Sequence, residues 1–269
     1  MEEIEKLLRE IKKFYKKEGR SHLPWRNTHD PYKILVSEIM LQQTQVDRVI
    51  PFYNRFIKQF PTSKTLAKAP LGEVLKTWQG LGYNRRAKYL WEAAKIIAQE
   101  GFAGQKLPGV GPYTAGAISA FAFNKPEVFI ETNIRTVFFH FDISKYKKTR
   151  KISDKELLPL VAETLKRSKM QPRDFYAALM DYGASLKQNG VKLNSRSKHY
   201  TKQSKFEGSA RQLRGALLRE LLKSSANKAQ LIKKFSPARS RGEIERELTK
   251  FIAEGLLTFS RGRYAVAAK

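Results

Sequence analysis

The stretch LPGVGPYTAGAISAF, Leu107 to Phe121, decides the fold. Pro108 and the two glycines Gly109 and Gly111 make a tight turn directly before an Ala-rich amphipathic segment. Glycine lets a foreign backbone approach closely, and a helix N-terminus aims free N–H groups at an anion, so this turn suits a phosphate. Gly109, Gly111 and Thr114 are the candidate contacts. An ordinary helix connection carries similar punctuation. The surroundings favour a helix-hairpin-helix element, because Gly80-Leu81-Gly82 ends a helix upstream and small residues fill the helix downstream. Such an element grips DNA without reading its sequence.

Outward from this hairpin, apolar residues three and four apart predict a succession of helices through about residue 185. They cover Ile4–Lys17, Tyr32–Gln43, Gln45–Phe60, Leu71–Thr77, Arg85–Glu100, Tyr113–Phe121, Asn133–Phe139, Asp154–Leu165 and Pro172–Tyr182. The character changes at Lys187, where a run with several cations, no carboxylate and little apolar periodicity extends to Phe206. Beyond it, helical stretches at Ser209–Lys223, Asn227–Phe235 and Arg241–Glu254 precede two short alternating segments around Ser260-Arg261-Gly262-Arg263. Three helices and a basic-tipped hairpin match a winged helix, against a small helical cap as the alternative. The expected organisation is an all-α domain over 1–186, a basic linker over 187–208 and a winged-helix-like domain over 209–269.

Composition narrows the function. The 269 residues hold 52 Lys and Arg against 25 Asp and Glu, a formal charge of +27 that points to a polyanionic partner, DNA or RNA first. There is no cysteine, which removes disulfides, thiolate-bound zinc, iron-sulfur clusters and a cysteine nucleophile together. Neither a metal nor another cofactor is expected. The longest apolar run, Ala115 to Phe123, is far below the roughly 20 residues that cross a bilayer. The charged amphipathic start MEEIEKLLREIKKFYKKEGR lacks the apolar core of a secretory signal, so a soluble, cytoplasmic protein is expected.

Two acids stand out. Glu38 sits among Ile34, Leu35, Ile39, Met40 and Leu41, where it is either poorly solvated and proton-retentive or on the exposed stripe of its helix. Glu131 and Asn133 open a helix after the apolar run Val128-Phe129-Ile130. A carboxylate there either caps the helix or is held by its N-terminal amides while facing a reactive centre.

In order and separation, LPWR (Leu23 to Arg26), PYKILVSEIMLQQTQV, GLGYNRRAKYL and LPGVGPYTAGAI resemble the MutY family of adenine DNA glycosylases, within the superfamily that includes endonuclease III. The resemblance covers roughly residues 20 to 185; LQQTQV is its most family-specific part. It implies a helix-hairpin-helix glycosylase fold and removal of a flipped-out base from double-stranded DNA carrying a mismatched or damaged base, by a monomer. Glu38 then matches the general acid that protonates the leaving base at purine N7, and its apolar neighbours keep it protonated. Glu131 matches the carboxylate, normally Asp, that steadies the cationic sugar, and Asn133 the residue that positions sugar and water. Tyr113 stands where bifunctional relatives carry a Schiff-base lysine, which implies a monofunctional enzyme. Gln42 and Gln43 match residues that fill the gap left by the flipped base, and Trp25, Arg26 and Val46 match positions around that base. Tyr83 matches a tyrosine that stacks into the duplex.

The chain also departs from this pattern. Glu131 is one methylene longer than Asp, and no cluster can follow MDYGASLKQ, so linker cations such as Lys198 and Lys202 are expected to replace its phosphate contacts. Ala177 occupies a position that is usually Glu or Gln against the purine edge. The expected substrate is adenine opposite 8-oxoguanine or guanine. A thymine or uracil mismatch glycosylase of the same fold and a noncatalytic DNA-binding module are the alternatives, the latter resting on Glu131.

Overall fold

The computed structural model describes residues 2–102, 106–143, 150–203 and 205–268. Ser204, inside the expected linker, lies outside the described residues. Helices dominate. They are α1 (Glu2–Glu18), α2 (Pro31–Leu41), α3 (Val46–Gln59), α4 (Ser63–Lys68), α5 (Leu71–Trp78), α6 (Arg85–Glu100), α7 (Pro112–Phe123), α8 (Thr132–His140), α9 (Asp154–Ser168) and α10 (Pro172–Gln188). After them come α11 (Ala210–Leu221), β1 (Ala226–Asn227), α12 (Lys228–Phe235), α13 (Arg241–Ala253), β2 (Leu257–Ser260) and β3 (Arg263–Val266). The chain forms two compact units, Met1–Glu38 with Val110–Lys202 and Ile39–Gly109 with Gln203–Lys269. Spatial grouping therefore follows a different division from the consecutive segments read along the sequence.

In the first unit α10 is the central helix, packed by α1, α7, α8 and α9. It buries Phe175, Tyr176, Ala178, Leu179 and Leu186, while α1 contributes Leu7, Leu8 and Ile11. Contact with α8 is unusually close. A Cβ on Gly183 would stand 2.4 Å from the Asn133 carbonyl oxygen, so any side chain there would push the two helices apart. The helix also runs on to Gln188, beyond the Tyr182 end expected from sequence and into the stretch read as linker.

In the second unit α3, α5 and α6 enclose Phe56, Trp78, Leu75 and Leu90, with Phe56 and Trp78 edge-to-face at 5.9 Å. The short helix α4, absent from the sequence reading, is started by a capping box in which Thr62 and Thr65 satisfy each other's backbone N–H groups. The C-terminal elements follow winged-helix order, with an antiparallel sheet β1-β3-β2 and Leu257 opposite Val266. Capping boxes at Asn227/Gln230 and Ser240/Glu243 begin α12 and α13. These C-terminal elements meet α6 through the Arg85–Glu254 ion pair, 3.4 Å long, and the approach of Gly255 to Lys88.

One buried cation fixes the end of α2. Arg86 donates through Nη1 to the carbonyls of Ile39 (3.0 Å), Met40 (2.9 Å) and Gln42, and through Nη2 to Thr44 Oγ1 (3.2 Å) and the Gly82 carbonyl (3.1 Å). The Ile39, Met40 and Gln42 carbonyls lie at the C-terminal end of α2, where positive charge is favoured. Burial brings the guanidinium pKa down to about 10, which still leaves it charged at neutral pH. Replacing Arg86 by Met should lower the free energy of unfolding in urea by about 2–4 kcal/mol, because several buried acceptors lose their donor at once.

Candidate active site

Glu38 lies on the part of α2 that belongs to the first unit and is 5% exposed. Preceding residues Ile34, Leu35 and Val36 are likewise buried, so the helix turn carrying the acid is dry. Desolvation pushes the Glu38 carboxyl up to about 7; the Tyr113 hydroxyl bond and the Arg26 charge oppose this, and Glu131 adds to it. Tyr113, on the first turn of α7, donates to Glu38 Oε2 at 2.9 Å. Its own pKa is well above the usual phenol value, through desolvation and then the charges of Glu38 and Glu131. The Tyr113 ring is set by Phe129, edge-to-face at 5.7 Å, which stacks on Tyr176 at 3.9 Å. Tyr176 is anchored by donating to the Glu127 carbonyl at 2.8 Å.

Glu131 is the N-cap of α8. One oxygen, Oε1, accepts from the backbone N–H groups of Asn133 at 2.6 Å and Ile134 at 2.9 Å. The cap reading and the held-carboxylate reading therefore describe the same arrangement. Its charge reaches Glu38, Tyr113 and Lys187, so the two acids singled out in the sequence share one electrostatic environment. Asn133 accepts from Lys187 Nζ at 2.6 Å, a contact 54 residues apart in sequence.

Trp25 and Arg26 form a short 3-10 turn, Pro24–Arg26. Arg26 is engaged within the protein. Its guanidinium lies 5.2 Å from the Phe121 ring centroid and 3.2 Å from Asp181, a carboxylate 1% exposed that Arg20 holds at 2.7 Å. A small cavity of about 80 Å³ runs between Trp25, Arg26, Phe121, Ala177 and Asp181. Ala177 is fully packed and offers that space only a methyl group. Thr114 is buried on α7, and Gly111 is the exposed N-cap residue before Pro112. Lys198 and Lys202 are both exposed.

The remaining candidates lie in the second unit. Gln42 and Gln43 fall just beyond α2, which ends at Leu41 rather than continuing through them. Gln42 donates to the Gly109 carbonyl at 3.2 Å, and Gln43 adopts a left-handed backbone with φ 57°. Gly109 has φ 74°, and a Cβ there would meet Tyr89 at 2.9 Å, so the turn needs glycine on both counts. Val46 is the first residue of α3. Tyr83, with φ 49°, is held at its hydroxyl by Gln203 and by Arg211 at 2.9 Å. Gln43, Arg48, Tyr83, Gln203 and Arg211 are among the residues lining a groove of about 740 Å³.

An iron-sulfur cluster does not fit this chain. The segment after α10 has no thiolate to ligate iron, and its fold is set by protein contacts instead. Ile152 and Ser197 form an isolated parallel bridge, and Arg196 donates to the Phe139 carbonyl at 3.4 Å.

Asp181, Lys187, Phe129 and Tyr176 carry much of this geometry and were not assigned site roles from sequence. Lys187 had one available signal, since it lies four residues beyond Gly183 on the same helical stripe.

Residues 36–163 match the model of the HhH-GPD superfamily base excision DNA repair proteins. The chain is 37% identical over 214 residues to the adenine DNA glycosylase of Buchnera aphidicola subsp. Baizongia pistaciae, covering 73% of this chain and 59% of that one. It is 39% identical over 180 residues to the adenine DNA glycosylase of Mycolicibacterium smegmatis, with 62% and 59% covered. This chain thus spans less than two thirds of the length of these curated relatives. Among solved structures, a thermostable thymine-DNA glycosylase superimposes with a TM-score of 0.57 at 28% identity, over 74% of this chain and 97% of that one. An endonuclease III trapped on DNA shares the fold at 19% identity and a TM-score of 0.52, over 67% and 84%. With its fold, the matched segment and these relatives in agreement, residues 36–163 of the chain belong to the HhH-GPD superfamily of base excision DNA repair proteins.

Proposed function

We propose that this protein is a monofunctional DNA glycosylase that excises adenine mispaired with 8-oxoguanine or guanine. The single observation that carries the reading is Glu38, a buried carboxyl bonded to Tyr113 with its pKa raised to about 7. An acid with that pKa still holds its proton in a large fraction of molecules near neutrality, and can pass it to a departing base. The relatives named adenine DNA glycosylases support adenine as that base. The net charge of +27 supports duplex DNA as the partner.

In this mechanism the mispaired nucleotide is flipped from the duplex and Glu38 donates its proton to a ring nitrogen of the base. The C1′–N bond breaks with its electron pair on the base, which leaves neutral. The sugar cation is stabilised by Glu131, whose Oε1 is fixed by two amides. Water adds to C1′ and releases a proton to solvent, giving the abasic sugar, and the Glu38 carboxylate takes up a proton to restore the acid. Tyr113 is a phenol where a lysine would be needed for a Schiff base, so strand cleavage is not part of the cycle. Asn133 positions sugar and water, while the exposed Lys198 and Lys202 serve as phosphate contacts.

A second reading is favoured by one specific feature. Ala177 presents no polar group to a purine edge, and the structural neighbour named as a thymine-DNA glycosylase is covered almost entirely by this chain. Thymine opposite guanine is the corresponding substrate.

Single-turnover assays on duplexes carrying A opposite 8-oxoguanine, A opposite G, and T opposite G decide between them. The expected result is free adenine and an abasic strand that breaks only after alkali. Release of thymine alone moves the assignment to the second reading, and release of neither base rejects catalysis. Glu38→Gln should lower the rate by about 10²-fold or more while leaving duplex affinity nearly unchanged. The wild-type rate should fall tenfold per pH unit above about 7 as the acid loses its proton.

The same group makes a prediction about stability that needs no substrate. The folded protein keeps the Glu38 proton up to about pH 7, whereas an unfolded chain loses it near 4.5. Stability should therefore decline as pH rises through that window, by about 3 kcal/mol in total, and level off above it. Urea titrations of Glu38→Gln should show this component missing and the variant more stable than wild type at pH 8.

A further inference from the structure

Lys187 is not used by the mechanism above, yet it is a half-buried amine at the edge of the carboxylate site. Its Nζ bonds Asn133 Oδ1 at 2.6 Å, and the Asn133 backbone N–H bonds Glu131 Oε1 at the same length. The approach is built into α10. Gly183 allows that helix to touch the first turn of α8, and Lys187 follows one turn later on the same face.

The chemistry of the contact is directional. An ammonium has three donors and no acceptor, so the asparagine amide must turn its oxygen toward α10. Its Nδ2 group, a donor, then points the other way. Because Lys187 bonds Asn133 and not the carboxylate, Glu131 Oε2 is left out of the network drawn by these bonds. We propose that Lys187 is a positioning residue that locks Asn133 with its amide nitrogen presented to the sugar and water, beside the open oxygen of Glu131. This rests on the glycosylase reading of the site. Burial lowers the Lys187 pKa, Glu131 opposes that shift, and Arg135 adds to it.

The test uses the full chain with the variants Lys187→Met, Lys187→Arg, Asn133→Ala and the Met/Ala double. Single-turnover base release, duplex affinity and thermal unfolding are measured on each. Lys187→Met should slow release by about tenfold or more with affinity within about twofold of wild type, and Arg, a donor-only cation, should restore most of the loss. Lys187→Met should add little to Asn133→Ala, since both break the same link. In the free protein the Asn133 side-chain NH₂ resonances, assigned by their loss in Asn133→Ala, should shift in Lys187→Met. Unmoved resonances overturn the proposal whether or not the protein is active. A parallel loss of affinity marks Lys187 as a phosphate contact and overturns it, as do additive effects in the double variant. Shifted resonances in a protein that releases no base preserve the geometry and reject the glycosylase reading instead.

Discussion

A carboxyl group kept out of water is the constraint around which the first unit is arranged. In water Glu38 would be ionised at neutral pH, and the proton-donor role proposed for it requires that ordinary solvation be removed. The fold does so with a mostly buried α2 and a single phenol donor, and burial outweighs the stabilisation of the anion by Tyr113 and Arg26. Phe129 and Tyr176 matter for the same reason, since they hold the Tyr113 ring where its hydroxyl meets the acid. Keeping the proton in place costs stability whenever the group ionises, which is a cost a purely structural residue has no reason to carry.

The helices were legible because apolar spacing is a local signal, and bounds such as Arg85–Glu100 and Leu71–Trp78 follow it closely. Three misreadings have physical causes. At six residues, α4 is too short to show a period, and its capping box uses Thr65 where Glu or Gln is the familiar sign. The helix expected to end at Tyr182 runs on through Gly183, which is the point of closest approach to α8 and carries no apolar side chain to extend the period. Gln42 and Gln43 continue the polar pattern of a helix, but Arg86 takes the carbonyls at its end and the chain turns through a left-handed residue there.

The site was legible only in part, and the division falls between chemistry and placement. Glu38, Glu131 and Asn133 could be singled out from local sequence, and Tyr113 from the resemblance. What surrounds them depends on contacts such as Asn133–Lys187 and Arg20–Asp181, the latter separated by 161 residues, and no periodicity carries that information. Arg26 shows the consequence. As a residue type it suits base selection, but in place it neutralises Asp181 and lies over Phe121, so its charge is already engaged. Grouping of the chain into two units is invisible to a left-to-right reading for the same reason.

Glu131 resolves an ambiguity that residue type alone leaves open. A glutamate at a helix N-cap is a poorer choice than Asp or Ser, because its longer chain must fold back to meet the amides. Here it does fold back, and both the Asn133 and Ile134 amides converge on one oxygen. The extra methylene is used in reaching them, and fixing Oε1 also fixes the direction of the second oxygen. Capping and the sugar-steadying role proposed for it therefore make the same demand on this side chain, which is a carboxylate fixed in place by backbone donors that need no reorganisation. In the proposed reaction the added length shifts where the sugar must sit, because the anchored Oε1 sets how far the second oxygen reaches beyond the helix end.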